Sequence, residues 1–247
     1  AWGLAPYQPA GTGPAPAFIT RTWRESVLPA VGKVLAGRGV LAVLGTYPHQ
    51  DSGADHVLNR ASIWRDEGWS FADKLDPTPA EIADTPPVRP GEVLSVFPFL
   101  GGKAAVLVCF SSEMPEVAAR LKAEGVQLVL IPSDTEDEAG ARRILRSASA
   151  RAVELGAAVL VSPLTGRQGD WSSVGSSALF LPSQKGIADP ERVGPRWSSG
   201  IRRADYGIPW AGILSLRARP PRDVEARPFL SPASPFQVRS EPAPVIP

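Results

Sequence analysis

The unbroken apolar run at residues 104–108 stops at Cys109, and that stop constrains what the chain can fold into. Five apolar residues without polar alternation read as a strand covered on both faces. A polar and acidic turn follows (Phe110, Ser111, Ser112, Glu113). Pro115 then suits the first turn of a helix, where its missing N–H costs nothing. Cys109 therefore stands at the C-terminal tip of a strand, facing the start of a helix. Active sites of α/β sheets gather at that end, and a helix N-terminus favours the nucleophilic thiolate. A lone cysteine is equally a small buried hydrophobe, so its surroundings must decide.

A chain of 247 residues has room for one large domain with a full core. Hydrophobic content of 43% and charged content of 21% are ordinary for a globular protein. The net charge of +1 gives no electrostatic case for nucleic acid or an anionic membrane. Cys109 is the only cysteine, which rules out an intramolecular disulfide and fits a reducing, cytoplasmic setting. No apolar run approaches the length of a membrane span. The chain starts at Ala1 without Met or a signal-like segment, which suggests a processed or excised piece. An excised soluble domain of a membrane protein is the alternative.

In chain order, residues 1–17 read as a Pro/Gly-rich segment, 18–217 as the folded domain and 218–247 as a Pro-rich tail extended over a surface. Residues 18–37 show helical spacing closed by Gly37, with Pro29 as an interruption that favours a strand and turn for part of the stretch. Strands are expected at 40–44, 56–64, 69–74, 94–99, 104–108, 128–131, 157–161 and 178–181, with a last short one at 213–217. Asp66-Glu67-Gly68 and Gly101-Gly102 read as turns. Helices are expected at 116–124, ended by Gly125, and at 139–155. Alternating strands and helices flanked by β-rich pairs predict an α/β or layered αββα fold.

Four blocks in this order resemble the nitrilase, or carbon–nitrogen hydrolase, superfamily. They are Gly45-Thr46-Tyr47-Pro48 with Asn59; Lys74-Leu75-Asp76-Pro77-Thr78-Pro79-Ala80-Glu81; Cys109 through Glu116; and the helix with Gly140, Arg143, Ala148, Ala150-Arg151-Ala152 and Glu154. The resemblance implies a four-layer αββα sandwich, here lacking room for the family's first strand–helix unit. It also implies a Glu–Lys–Cys triad acting on amides or nitriles of small molecules. In such a triad the thiol attacks the carbonyl or nitrile carbon and forms a thioester-type intermediate. A glutamate carries protons, and a lysine with the backbone N–H after the cysteine stabilises the oxyanion. Carried onto this chain, Cys109 is the nucleophile, Lys74 the oxyanion stabiliser and Phe110 the backbone donor. Glu81 is a supporting carboxylate, and Arg151 and Glu154 form a structural pair. The family also implies a homodimer or higher homo-oligomer and no cofactor.

The first triad member departs from the pattern. Trp23-Arg24-Glu25-Ser26-Val27-Leu28-Pro29 resembles a block of apolipoprotein N-acyltransferases, within the same superfamily, and makes Glu25 the general base. Alternatively 19–36 is the helix before the Gly45 strand; Tyr7 then occupies the base position, or the base lies upstream of Ala1. Ser111 stands where the family carries Asp or Glu, and Arg24 where it carries Pro. Three readings follow: an amide hydrolase, an acyltransferase-like domain, and a degenerate nitrilase-fold binding protein. His49, His56 and Cys109 do not make a structural zinc site. The acidic run Asp134, Glu136, Asp137, Glu138 lacks EF-hand spacing and reads as a solvated loop near the site's mouth. Gly101-Gly102-Lys103 lacks the rest of a phosphate-binding loop, and the scattered tryptophans lack the basic interleaving of a nucleic-acid platform.

Overall fold

The computed structural model describes residues 15–168, 171–184, 186–187, 191–194, 204–217 and 237–240. The chain opens with α1 (Pro16–Thr22), a π-helical turn (Trp23–Val27) and α2 (Leu28–Leu35). The strands β1 (Ala42–His49), β2 (Leu58–Arg65) and β3 (Gly68–Asp73) follow, then the short α3 (Pro79–Ala83). Next come β4 (Val93–Phe99), β5 (Gly102–Val106), a 3-10 turn (Cys109–Glu113) and α4 (Pro115–Glu124). The centre closes with β6 (Leu128–Ser133), α5 (Glu138–Leu155) and β7 (Ala158–Pro163). Short strands β8 (Gly166–Gln168), β9 (Trp171–Ser173), β10 (Ala178–Phe180) and β11 (Glu191–Val193) precede α6 (Trp210–Arg217) and β12 (Gln237–Ser240).

Two sheets make the body. One holds β1-β2-β3, all antiparallel. The other runs β11-β10-β7-β6-β5-β4-β12, with β5, β6 and β7 parallel at its centre. Ala104, Leu128 and Ala158 stand in one register row, and side chains alternate between faces from that row onward. Ala105, Leu107, Val129, Ile131, Val159 and Val161 face α4 and α5, meeting Val117, Leu121, Ile144 and Ala148. Ala104, Val106, Leu128 and Ala158 face the other way and meet Ala61, Ile63 and Ala72 of the second sheet. Burial on both faces is why these strands read as unbroken apolar runs.

The second sheet's outer face carries the N-terminal helices. Ser62, one residue off Ile63, accepts a 2.9 Å hydrogen bond from Trp23 Nε1. The Trp23 ring stacks on Tyr47, with centroids 4.9 Å apart, beside buried Ile19 and Leu28. Helix, sheet, sheet and helix make the expected four-layer αββα sandwich. Among the described residues no helix is long and apolar enough to cross a membrane.

Two expectations are corrected. Pro29 does not break the first helix. It falls in the first turn of α2, directly after the widened π turn, where its missing N–H is absorbed. Residues 213–217 are helix, not strand: the Ile213 N–H donates to Pro209 O over 3.1 Å, one helical turn back. Trp210 and Ile213 share the inward side of that helix, a spacing too short to register in so brief an apolar run. Residues 1–14, and the tail from 218 apart from β12, lie outside the described residues.

Gly91 keeps the strand that carries the lysine block in place. Its N–H donates to Lys74 O over 2.8 Å, and a Cβ there would sit 2.7 Å from Asp73 Cβ. Gly91→Ala is expected to cost roughly 1–3 kcal/mol of stability in urea unfolding, as overpacking does; an unchanged midpoint would contradict this close approach.

Candidate active site

The site begins where β3 ends. The Lys74 N–H donates to Asn59 O over 2.9 Å, extending the β2–β3 ladder one residue past the strand. Lys74 is only 3% exposed, and a buried ammonium needs a partner. Glu81 supplies it: Lys74 Nζ donates to Glu81 Oε2 over 2.6 Å. The same carboxylate closes the capping box of α3, in which Thr78 Oγ1 accepts from the Glu81 N–H and Glu81 Oε2 accepts from the Thr78 N–H. Its Oε1 accepts from Asn59 Nδ2 over 3.0 Å. Burial alone would raise the Glu81 pKa. The Lys74 ammonium and the Thr78 and Asn59 donors outweigh it and hold this carboxyl below its ordinary value.

Ser111 ties this lysine loop to the Cys109 turn. Its fully buried Oγ accepts from the N–H groups of Leu75 (3.0 Å) and Asp76 (3.1 Å). Leaving such a donor unpaired costs about 1–3 kcal/mol. The departure at Ser111 thus keeps an acceptor there while removing a negative charge close to Cys109.

Cys109 opens the 3-10 turn with φ +48°, in the left-handed region that costs a non-glycine residue of order 1–3 kcal/mol. The turn holds it there. The Ser111 N–H donates to Val108 O, and Ser112 Oγ donates to Cys109 O over 2.7 Å. The thiol donates to Asp134 O over 3.5 Å. Asp134 sits on the loop after β6, a loop fixed by Leu164 N–H to Ser133 O (2.7 Å) and Thr135 Oγ1 to Val174 O (2.7 Å). Burial pushes the Cys109 thiol above its usual pKa; Lys74 and the Asp134 carbonyl pull it back, and the Glu81 charge opposes them.

Lys74, Glu81, Cys109 and Phe110 all line one cavity of about 500 Å³. Gly45 and Asn59 of the first block also line it, as do Gly140 and Arg143 of the last. Glu25 does not. It is exposed on the π turn, while Trp23 of the same turn is buried against Tyr47. The expected assignment of Glu25 as general base is therefore corrected: the side chain that turn buries is Trp23, and it points Glu25 to solvent. Tyr7 lies outside the described residues. The acidic run lies at the cavity, as expected of a loop near its mouth: exposed Glu136 and Asp137 and half-buried Asp134 line it, and Asp137 Oδ1 caps α5 by accepting from the Gly140 N–H over 2.7 Å. The signal was available, because this run sits between a strand end and a helix start.

Comparisons with known proteins give the family and the fold. The family model "Carbon-nitrogen hydrolase" matches residues 15–197, and the chain belongs to that family. The NitN amidase from Nesterenkonia sp. AN1 has the same fold, with TM-score 0.56 and 24% identity, over 68% of this chain and 65% of that one. The C. elegans NitFhit protein superposes with TM-score 0.60 and 20% identity, over 68% of this chain and 43% of that one. "Probable hydrolase YhcX" of Bacillus subtilis (strain 168) is 29% identical over 111 residues, 43% of this chain and 22% of that protein. The chain thus spans under two thirds of the length of each of these three relatives.

The charges around Cys109 set its ionisation in a checkable way. Alkylation by iodoacetamide, followed against pH, is expected to show a midpoint above that of a free thiol. Lys74→Met should move it further up, by removing the cation that favours thiolate. Glu81→Gln should move it down, by removing an anion that opposes it. Shifts of the opposite sign would refute this electrostatic reading.

Proposed function

We propose that this protein hydrolyses amides of small molecules through Cys109. The observation that carries the reading is the buried Lys74–Glu81 pair lining one cavity with a cysteine held at φ +48°. Attack by the Cys109 thiolate on the amide carbon forms a tetrahedral oxyanion. Lys74 Nζ and the Phe110 N–H are its donors. Collapse expels the amine, which takes its proton from water, and leaves a thioester on Cys109. Water then adds to the thioester and releases the carboxylic acid, returning the thiol. Glu81 is a positioning residue: its lone pairs face Lys74, Thr78 and Asn59, so it holds the ammonium rather than taking the thiol proton. Among the described residues the thiolate arises by ionisation to solvent, eased by Lys74. A mutant of the Nesterenkonia amidase carries the acetamide moiety of fluoroacetamide on its active-site cysteine, which supports a thiol-centred reading.

The placement of Glu25 favours a second reading, a non-catalytic nitrilase-fold protein that binds a ligand in the same cavity. Ammonia release from a panel of small primary amides separates the two. Hydrolysis is expected in the wild type, with kcat/KM rising with pH through the raised thiol ionisation. Loss of one oxyanion donor in Lys74→Met should lower kcat/KM by about 10²–10³. Cys109→Ala should abolish turnover and Glu25→Gln should leave it unchanged. No turnover with any amide would favour the binding protein, and a flat pH profile across neutrality would reveal a built-in base.

A further inference from the structure

Trp171 lines the cavity but takes no part in the steps on Cys109. It opens β9 and stands opposite Gln168 of β8, in the hairpin that follows β7. Residues two apart on a strand share a face, so Trp171 points the same way as Ser173, which is fully buried. Two hydrogen bonds fasten the end of β9 to the loop after β6. The Val174 N–H donates to Thr135 O over 2.9 Å, and Thr135 Oγ1 donates to Val174 O over 2.7 Å. Gly175 then passes so close to the end of β7 that a Cβ there would lie 2.5 Å from Pro163 Cβ. The strand that carries the indole is thus fixed on both sides.

Asp134 links that indole to the reacting sulfur. Its backbone oxygen accepts from the Cys109 thiol over 3.5 Å. Burial raises its carboxyl above the usual pKa, and hydrogen bonds from the Ser173 and Trp171 side chains pull against that rise. One residue therefore holds the thiol by its backbone and the indole by its side chain. An indole has one donor and no acceptor. With that N–H given to Asp134, Trp171 has only its ring to offer a ligand, and it is still 38% exposed where it lines the cavity. Lys74 and Arg143 of the lining are committed to Glu81 and Glu113. Phe110, Ile144 and Leu164 line the same space. At about 500 Å³ it is of the size that holds ligands well beyond a four-carbon amide. An aromatic ring fills such a space with the most apolar area and gains further from contact with a second ring.

We infer that Trp171 sets the specificity of this cavity, and that the substrate is an uncharged amide whose acyl part carries an aromatic ring packed on the indole. The acyl part is the one that stays, because Cys109 carries it as the thioester until water releases it. The inference rests on the amide-hydrolase reading for the bond that is cut. Its ring preference is measurable without turnover, because Cys109 lines the same cavity and is the only thiol.

The test labels Cys109 with N-benzyliodoacetamide and N-methyliodoacetamide, each rate divided by that of the same reagent with free 2-mercaptoethanol. In this reaction the thiolate attacks the carbon that bears iodine, a C–S bond forms, and iodide leaves with the electron pair of the C–I bond. Both reagents meet the same thiolate, so any change in Cys109 ionisation cancels in their ratio. The benzyl reagent is expected to be favoured by about tenfold, the scale of burying a ring against an aromatic partner. Trp171→Ala should bring the ratio close to one. Trp171→Phe, which gives up the N–H but keeps a ring, should retain most of the preference. Equal wild-type rates, a preference that survives Trp171→Ala, or a loss in Trp171→Phe as large as in Trp171→Ala would each overturn the inference. In turnover, 3-phenylpropanamide should exceed butanamide in kcat/KM, chiefly through KM, and Trp171→Ala should erase the difference. Hydrolysis of both amides without preference would sink the inference alone. Hydrolysis of neither, with the labelling preference intact, would sink the hydrolase reading alone.

Discussion

The ion pair between Lys74 and Glu81 is the interaction on which the rest of this site depends. An ammonium 3% exposed is stable only with a close counter-charge and further hydrogen bonds around it. Glu81 meets that requirement because it is itself fixed by Thr78 and Asn59. The lysine block therefore works as a unit: Pro79 starts α3, Thr78 caps it, and Glu81 closes the box while holding Lys74. Removing either charge would leave the other buried and unpaired, a loss larger than the pair's net worth.

From that pair the constraint passes to Cys109. Ser111 accepts two backbone donors from the residues just after Lys74, which ties the lysine loop to the cysteine turn. The strained Cys109 backbone is kept in place by the turn's own hydrogen bonds and by the strand behind it, whose side chains are buried on both faces. Burial works against thiolate and Lys74 works for it. The result is a thiol whose ionisation balances burial and the Glu81 and Asp134 charges against the Lys74 ammonium and the Asp134 carbonyl.

Much of this was legible in the residues. Unbroken runs at 104–108, 128–131 and 157–161 became the parallel centre of the large sheet, because double burial leaves no polar alternation to obscure them. The lysine and cysteine blocks met in one cavity as their order implied. What failed were features decided by which way a helix faces. The Trp23-to-Pro29 block carries a glutamate, but the turn buries the larger tryptophan and leaves Glu25 outside. The position of the acidic run, between a strand end and a helix start, placed it near the site's mouth; that Asp134 is half-buried beside Cys109 depends on hydrogen bonds from its neighbours to Val174 and Leu164, far along the chain. Ile213 was misread because so brief an apolar run has no resolvable period.

The central claim is that Cys109 reacts covalently with amides only because Lys74 stands beside it. Intact-mass spectrometry after rapid quenching, with a slowly hydrolysed amide, tests this directly. The account predicts an acyl mass on the peptide containing Cys109 in the wild type, and none in Lys74→Met under the same conditions. Equal acylation of the variant, or an acyl group on any other residue, would contradict it.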